Sequence, residues 1–124
     1  MTKPIRVLIA DDHHLFAEAL EAILGGDERV AVVGRAGDGR EAVELTRELD
    51  PDVVLMDLSM PVLDGIGAIR ELRGVGEQVG ILVLSGSNSR VDVDRSREAG
   101  ASGYVTKDRI ASELVDAIVE VAAR

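Results

Sequence analysis

The chain has 124 residues, 46% of them hydrophobic and 30% charged, a length and composition typical of one globular domain spanning residues 1–124. It contains no cysteine, which excludes disulfides, thiolate metal sites and a cysteine nucleophile. Its net charge of −9, with acids and bases interspersed, argues against nucleic acid as a partner of this chain itself, and its apolar runs are too short to cross a membrane, so we expect a cytoplasmic protein.

Short runs rich in Val, Ile and Leu recur along the chain with little polar alternation. Apolar runs of this kind are typical of strands that are covered on both faces. The predicted strands occupy residues 5–10, 30–34, 52–56, 81–85 and 103–106.

Helical spacing occurs in the segments between these strands. Asp38 is placed to cap the second helix, and glycine or proline follows the first three apolar stripes. In chain order, the clear stripes are Leu15-Phe16-Ala19-Leu20-Ile23, Ala42-Val43-Leu45-Leu49, Ile66-Ile69-Leu72 and Ile110-Leu114-Ile118-Val121. Strict alternation of strands and helices predicts an α/β fold in which a parallel sheet is sandwiched between helices in three layers.

The segment between the fourth and fifth strands fits this pattern less well. Val91 and Val93 are two residues apart and form no helical stripe, and Arg95 and Arg97 lie where a sheet-packing helix would carry apolar side chains. We predict a short or mobile fourth helix. Two explanations stay open: a neighbouring chain or an absent domain covers the helix, or the helix is intrinsically mobile.

Polar side chains follow four of the predicted strands. In strand order, these are Asp11 and Asp12 after the first, Asp57 after the third, Ser85 at the end of the fourth and Lys107 after the fifth. In an open parallel sheet of order 2-1-3-4-5, ligands bind beyond the carboxyl ends of the strands, where the order reverses. The sequence therefore predicts a crevice that carries three carboxylates and one ammonium.

A cluster of carboxylates needs a positive partner, because like charges at short distance raise one another's pKa and cost free energy. Only oxygen ligands are on offer, and a small site of this kind suits Mg²⁺ better than Ca²⁺. Magnesium commonly accompanies phosphate, and a carboxylate can attack phosphorus when a lysine and a hydroxyl assist. Asp57, Lys107 and Ser85 would be those three groups.

Each of these residues also has an ordinary structural interpretation. Any of the acids could cap a helix N-terminus, and Lys107 could be a solvated loop charge. Phe16 is predicted to be core. His13 and His14 are interpreted as surface or cap-turn residues, because adjacent helical side chains point about 100° apart and cannot both face one ion. A position for His13 inside the crevice is the less favoured alternative.

The whole chain resembles the receiver domain of bacterial two-component response regulators, in the segments VLIADDHHLF, VVLMDLSMPVLDG, ILVLSG and AGASGYVTKD. The segments ADDH and GASGYVTKD are most similar to the subfamily whose receivers are usually followed by a helix-turn-helix DNA-binding domain of the LuxR type. The resemblance implies a flavodoxin-like (βα)5 fold, phosphotransfer from a sensor histidine kinase, and Mg²⁺ as the cofactor.

By this resemblance, Asp57 is the phosphoacceptor. The implied site comprises the metal ligands Asp11, Asp12, Asp57 and the Ser59 carbonyl, the phosphoryl-contacting and switch residues Ser85, Tyr104 and Lys107, and the turn residues Pro61 and Gly65. Tyr104 would change rotamer with Ser85, although it could also be a plain core residue. Ser59 and Ser87 occupy the positions that tune how fast water removes the phosphate.

The implied function is a phosphorylation switch rather than an enzyme. The kinase would bind near the first helix, and phosphorylation would reshape the face of the fourth helix, fifth strand and fifth helix (the α4-β5-α5 face), where an output partner or a second copy would bind. DNA would be reached only through a domain outside this chain. Two other classes stay open: a Mg²⁺-dependent phosphohydrolase, which would need a second aspartate where Ser59 lies, and an interaction module without phosphorylation chemistry.

Overall fold

A parallel five-stranded sheet forms the centre of the computed structural model, which describes residues 3–124. The strands are β1 (Ile5–Ala10), β2 (Val30–Ala36), β3 (Val53–Asp57), β4 (Gly80–Ser85) and β5 (Gly103–Thr106). Their order is β2-β1-β3-β4-β5, and neighbouring strands are parallel. The predicted architecture and strand order are therefore confirmed.

Within the same residues, helices alternate with the strands. They are α1 (His14–Gly25), α2 (Gly39–Leu49), α3 (Gly65–Gly74), α4 (Arg90–Ala99) and α5 (Ile110–Ala122), and a 3-10 turn at Lys107–Arg109 precedes α5. Asp38 caps α2 as predicted, because its carboxylate accepts a hydrogen bond from the Glu41 amide at 2.8 Å. Among residues 3–124, none of the helices combines the length and the apolar character that crossing a membrane requires.

Helices cover both faces of the sheet and divide the apolar core into two parts. Side chains of β1 alternate between them: Leu8 packs with α2 and α3, whereas Val7 and Ile9 pack with α1 and α5. The predicted stripes of α3 and α5 are buried in these two cores. Because β3 and β4 are buried along almost their whole length, their polar side chains Asp57 and Ser85 lie at their carboxyl ends.

The predicted apolar stripe of α1 is wrong in part. Leu15, Ala19 and Ile23 face solvent, and Leu15 is 80% exposed. The buried residues of this helix are Ala17, Leu20 and Leu24. Apolar residues surround most of α1, so their spacing does not decide which of two neighbouring stripes packs on the sheet. As a result, α1 presents an exposed apolar stripe, Leu15-Ala19-Ile23.

The fourth helix forms despite its weak apolar pattern. Ser89 caps it by accepting a hydrogen bond from the Asp92 amide at 3.2 Å, a contact that favours a helix start. The buried residues of α4 are Ser96 and Ala99, and Val91 is 65% exposed. With ten residues, α4 is as long as α3, so it is not shortened. Its mobility stays a prediction.

Candidate phosphorylation and metal site

The sheet brings the predicted acids to one edge. Asp11 and Asp12 directly follow β1, Asp57 is the last residue of β3, and these two strands are neighbours. We call these three residues the acid cluster. Asp11 and Asp57 are each only 5% exposed, whereas Asp12 is exposed. Burying two like charges side by side costs free energy unless positive groups balance them.

Lys107 supplies part of that balance. Its Nζ lies 3.4 Å from Oδ2 of Asp11 and 3.8 Å from Oδ1 of Asp57. The same Nζ lies 4.2 Å from the centroid of the Phe16 ring, a cation–π contact that helps to orient the ammonium. The interpretation of Lys107 as a solvated loop charge is therefore wrong. Phe16 packs against the core as predicted, but its contact with Lys107 is a role that its helical spacing did not indicate.

The position of Asp57 disfavours its ionised form. Burial raises the pKa of its carboxyl group, and the charge of Asp11 raises it further, with a smaller contribution from Asp12. The Lys107 ammonium and the Ser59 main-chain N–H lower the pKa, but it stays above its ordinary value of 3.8. One ammonium thus does not neutralise three carboxylates.

One oxygen of the acid cluster is left without a partner. Within residues 3–124, Oδ2 of Asp57 is buried and accepts no hydrogen bond. One carboxylate oxygen from each acid and one ring nitrogen of His13 all lie within 4.8 Å of one another. A buried, unpaired carboxylate oxygen in such a donor set is suited to a divalent cation. The residues present therefore fit the predicted Mg²⁺.

The interpretation of the acids as helix caps fails for Asp57. Asp64 caps α3 instead, because its carboxylate accepts a hydrogen bond from an amide of the first turn at 2.7 Å. Asp11 does support the start of α1, since its Oδ1 accepts a hydrogen bond from the His13 amide at 2.7 Å. Its other oxygen faces Lys107, so Asp11 serves both the helix start and the acid cluster.

His13 lies in the site, which corrects the favoured interpretation of it as a surface or cap-turn residue alone. It is the N-cap residue of α1, and its side chain is 64% exposed. Its Nδ1 nevertheless lies 3.2 Å from Oδ1 of Asp11 and 3.2 Å from Oδ1 of Asp12. The distance from Nδ1 to Oδ2 of Asp57 is 4.0 Å. His14 faces away, with its Nδ1 2.8 Å from a guanidinium nitrogen of β2.

A tight turn follows β3 and carries Ser59 along the edge of the site. The Pro61 carbonyl accepts a hydrogen bond at 2.7 Å from the amide two residues later, around Val62, whose φ of 69° is rare for a β-branched residue. A Cβ on Gly65 would overlap the main chain of Asp57, so this position requires glycine. Pro61 and Gly65 thus shape the loop that holds Ser59 beside Asp57.

The Ser85 hydroxyl is linked to Tyr104 through the loop after β4. Ser85 is buried, and its Oγ accepts a hydrogen bond from the Ser87 amide at 3.1 Å. The Ser87 carbonyl in turn accepts a hydrogen bond from the Tyr104 hydroxyl at 2.6 Å. The Tyr104 ring is half-buried and packs against the core, whereas its hydroxyl contacts the loop after β4.

These side chains surround a cleft of about 440 Å³. Its lining includes His13, Asp57, Ser59, Ser85 and Lys107, together with Asp92 and Arg95 of α4. Arg95 is thus a site residue that the sequence reasoning missed. The available signal was its poor fit to a helix that packs on a sheet.

A family model described as "Response regulator receiver domain" matches residues 7–119 of the chain. The chain belongs to the response regulator receiver family. DegU of Brevibacillus brevis, a transcriptional regulatory protein, is 40% identical over 118 residues that cover 95% of this chain and 50% of the relative. NarL of Escherichia coli K12, a nitrate/nitrite response regulator, is 34% identical over 121 residues that cover 98% and 56%. The receiver chain thus spans about half the length of the curated relatives it matches.

Solved receiver structures have the same fold. The signal receiver domain of the putative response regulator NarL from Mycobacterium tuberculosis has a TM-score of 0.94 at 34% identity, with 98% of both chains covered. A LuxR-family two-component response regulator from Aurantimonas sp. SI85-9A1 has a TM-score of 0.92 at 38% identity, with 97% of this chain and 86% of that chain covered. The predicted family and the similarity to LuxR-type regulators are confirmed.

Replacement of the buried acid should stabilise this receiver domain in metal-free buffer. The raised pKa of Asp57 means that the folded state binds the proton more tightly than the unfolded state, so ionisation costs stability above that pKa. Below the ordinary value of 3.8 both states are protonated and the cost vanishes. We expect Asp57→Asn to raise Tm by several degrees at neutral pH and the two proteins to converge in acid, as measured by calorimetry with EDTA.

The control for this experiment is Asp108→Asn, which removes an exposed carboxylate near the same edge of the sheet. Its Tm should stay close to that of the unmodified chain. A lower Tm for Asp57→Asn than for the unmodified chain at neutral pH would contradict the destabilising effect of the ionised Asp57 carboxylate.

Proposed function

We propose that this receiver domain, residues 1–124, is a phosphoacceptor switch that takes one phosphoryl group on Asp57. The observation that carries the proposal is the state of the Asp57 carboxylate: within residues 3–124, one oxygen has no hydrogen-bond partner, and the other lies 3.8 Å from Lys107 Nζ. The unpaired oxygen is free to bind the cation, the oxygen beside Lys107 can act as the nucleophile, and the adjacent ammonium can bind phosphoryl oxygens. The role is that of a signalling domain rather than an enzyme.

The transfer follows from the placement of these side chains. An oxygen of Asp57 attacks the phosphorus of a phosphohistidine in line, an O–P bond forms, and the P–N bond breaks with its electron pair passing to the imidazole. Lys107 binds one phosphoryl oxygen, and the Ser85 hydroxyl donates a hydrogen bond to another. Mg²⁺, held by the acid cluster and the Ser59 carbonyl, would neutralise phosphoryl charge when bound.

The new phosphoryl group would change the α4-β5-α5 face. Movement of the Ser85 hydroxyl toward phosphate would break its hydrogen bond with the Ser87 amide and so displace Ser87. Displacement of Ser87 would in turn affect Tyr104, because the Tyr104 hydroxyl donates a hydrogen bond to the Ser87 carbonyl. Arg95 places a positive side chain of α4 along the same cleft. We propose that the output partner or a second copy of the chain binds this face, because a surface whose shape changes on phosphorylation can distinguish the phosphorylated from the unphosphorylated domain.

The proposed phosphoryl donor is a sensor histidine kinase that docks on α1. The exposed stripe Leu15-Ala19-Ile23 begins two residues after His13, at the rim of the cleft. An exposed apolar stripe beside a reactive group is typical of a protein interface. A kinase that buried this stripe would bring its phosphohistidine close to Asp57.

The proposed output is transcription, through a DNA-binding domain outside this chain. The transcription regulators among its relatives, of which the chain spans about half, support this proposal. The net charge of −9 disfavours direct contact between this chain and DNA. A cytoplasmic location is part of the same proposal.

Incubation with acetyl phosphate and Mg²⁺ tests the phosphoacceptor role directly. We expect the intact mass to rise by one phosphoryl group, and the increase to disappear with EDTA or in Asp57→Asn. Lys107→Ala should slow the labelling by about 100-fold, because it removes a fixed positive charge from the phosphoryl oxygens. Asp108→Asn, which removes an exposed acid, should be labelled like the unmodified chain.

Three outcomes would overturn the proposal. Labelling of Asp57→Asn at the unmodified rate would place the phosphate on another residue. Continuous release of many phosphates per chain would favour a phosphohydrolase. An unchanged mass would favour an interaction module without phosphorylation chemistry.

The docking proposal is tested with matched substitutions of exposed apolar residues. Leu15→Glu puts a charge on the α1 stripe, whereas Val75→Glu puts one on a residue that is 62% exposed at the end of α3, far from the cleft. Against a panel of purified, autophosphorylated histidine kinases, Leu15→Glu should slow transfer from the kinase that phosphorylates the unmodified chain, and Val75→Glu should not. Labelling by acetyl phosphate should be equal in both. Equal rates of kinase transfer in the two variants would refute docking on α1.

A further inference from the structure

The proposed chemistry leaves His13 without a function, although its ring lies against the acid cluster. We propose that His13 is a fourth side-chain ligand of the metal site, and that its nitrogen makes this site bind Zn²⁺ and Co²⁺ in competition with Mg²⁺. The inference rests on the proposed function in that it uses the same acid cluster, but its test does not depend on phosphorylation.

The distances around Nδ1 fit a shared ion. A divalent first-row cation about 2.1 Å from each ligand sets neighbouring donor atoms roughly 3 Å apart and opposite ones roughly 4 Å apart. Nδ1 of His13 lies 3.2 Å from an oxygen of Asp11, 3.2 Å from an oxygen of Asp12 and 4.0 Å from Oδ2 of Asp57. The ring nitrogen therefore already has the separations expected of a ligand in the same coordination sphere.

A second observation points to a ligand at this place. Oδ2 of Asp57 is the buried carboxylate oxygen that has no hydrogen-bond partner within residues 3–124, and it belongs to a side chain that is 6% exposed. It is also the oxygen that faces His13. A buried acceptor directed at an imidazole and two further carboxylates is satisfied by one cation that contacts all four side chains.

The position of His13 in the chain favours this role. It is the N-cap residue of α1, and its amide donates a hydrogen bond to Asp11 at 2.7 Å, so its backbone is fixed beside the cluster. Neutral imidazole binds a metal through the nitrogen that carries no proton. With Nδ1 on the metal, the ring proton resides on Nε2, and the exposed side of the ring can share that proton with water.

The ligand atoms of the site determine which cations bind more tightly. Imidazole nitrogen favours Zn²⁺, Co²⁺ and related ions, whereas Mg²⁺ prefers oxygen ligands and retains several waters. A site with three carboxylates alone would lack the nitrogen ligand that favours Zn²⁺ and Co²⁺. One added nitrogen raises the affinity for the borderline ions and leaves Mg²⁺ binding nearly unchanged.

Calorimetric titration of the purified chain with Zn²⁺, Co²⁺ and Mg²⁺ tests the inference. We expect His13→Ala to weaken Zn²⁺ and Co²⁺ binding by at least about tenfold and to change Mg²⁺ binding by no more than about threefold. His14→Ala, which removes the adjacent imidazole, should leave all three affinities unchanged. In ¹⁵N spectra of the unmodified chain, Zn²⁺ should shift the Nδ1 resonance of His13 and not that of His14.

The inference fails if His13→Ala leaves Zn²⁺ affinity unchanged, if it weakens Zn²⁺ and Mg²⁺ equally, or if Zn²⁺ shifts the His14 ring instead. Asp57→Asn separates this failure from failure of the proposed function. If Mg²⁺ binds the unmodified chain and loses affinity in Asp57→Asn while His13→Ala has no effect on Zn²⁺, the phosphoacceptor proposal stands and the role of His13 is refuted. If Zn²⁺ binding depends on His13 while Mg²⁺ does not bind, coordination by His13 stands, whereas the competition with Mg²⁺ and the proposed Mg²⁺ chemistry are refuted.

Discussion

The crowding of like charges at one edge of the sheet is the constraint on which the rest of the site depends. The order β2-β1-β3-β4-β5 places the ends of β1 and β3 side by side, so Asp11 and Asp57 are buried together. Lys107 is close to both and does not balance them, since three carboxylates face one ammonium. The folded receiver domain thus has a deficit of positive charge, which a divalent cation would offset and without which the anionic phosphoryl group could not be bound.

Much of the fold and the main part of the site could be predicted because both follow from strands buried on both faces. Apolar runs without polar alternation identified the strands, and the polar residues that follow these runs had to lie at the strand ends. Asp57 and Lys107 could be placed in one crevice for that reason, without any knowledge of side-chain distances. The predicted stripe of α5 was correct, because Ile110, Leu114, Ile118 and Val121 are all buried.

The errors arose where local pattern leaves a choice that tertiary packing decides. Both possible stripes of α1 are apolar, so only its packing on the sheet shows that Leu15 is exposed and Leu24 is buried. The strand β2 continues past the predicted end at residue 34 through Arg35 to Ala36, because main-chain pairing with β1 tolerates a polar side chain. His13 was assigned to the surface from its position at a helix start, whereas its ring turns back toward the acids. The orientation of the His13 side chain depends on charged groups that are brought together only by folding, so no periodic pattern in the sequence indicates it.

The effect of Mg²⁺ on thermal stability is the most direct test of the central claim. If the acid cluster is short of positive charge, Mg²⁺ binds the folded state in preference to the unfolded chain and must raise Tm. We predict that Tm of the unmodified chain at neutral pH rises with Mg²⁺ concentration and levels off, and that Asp57→Asn shows a much smaller rise. A Tm that does not change with Mg²⁺, or one that rises equally in Asp57→Asn, would contradict the claim that the acid cluster is short of positive charge.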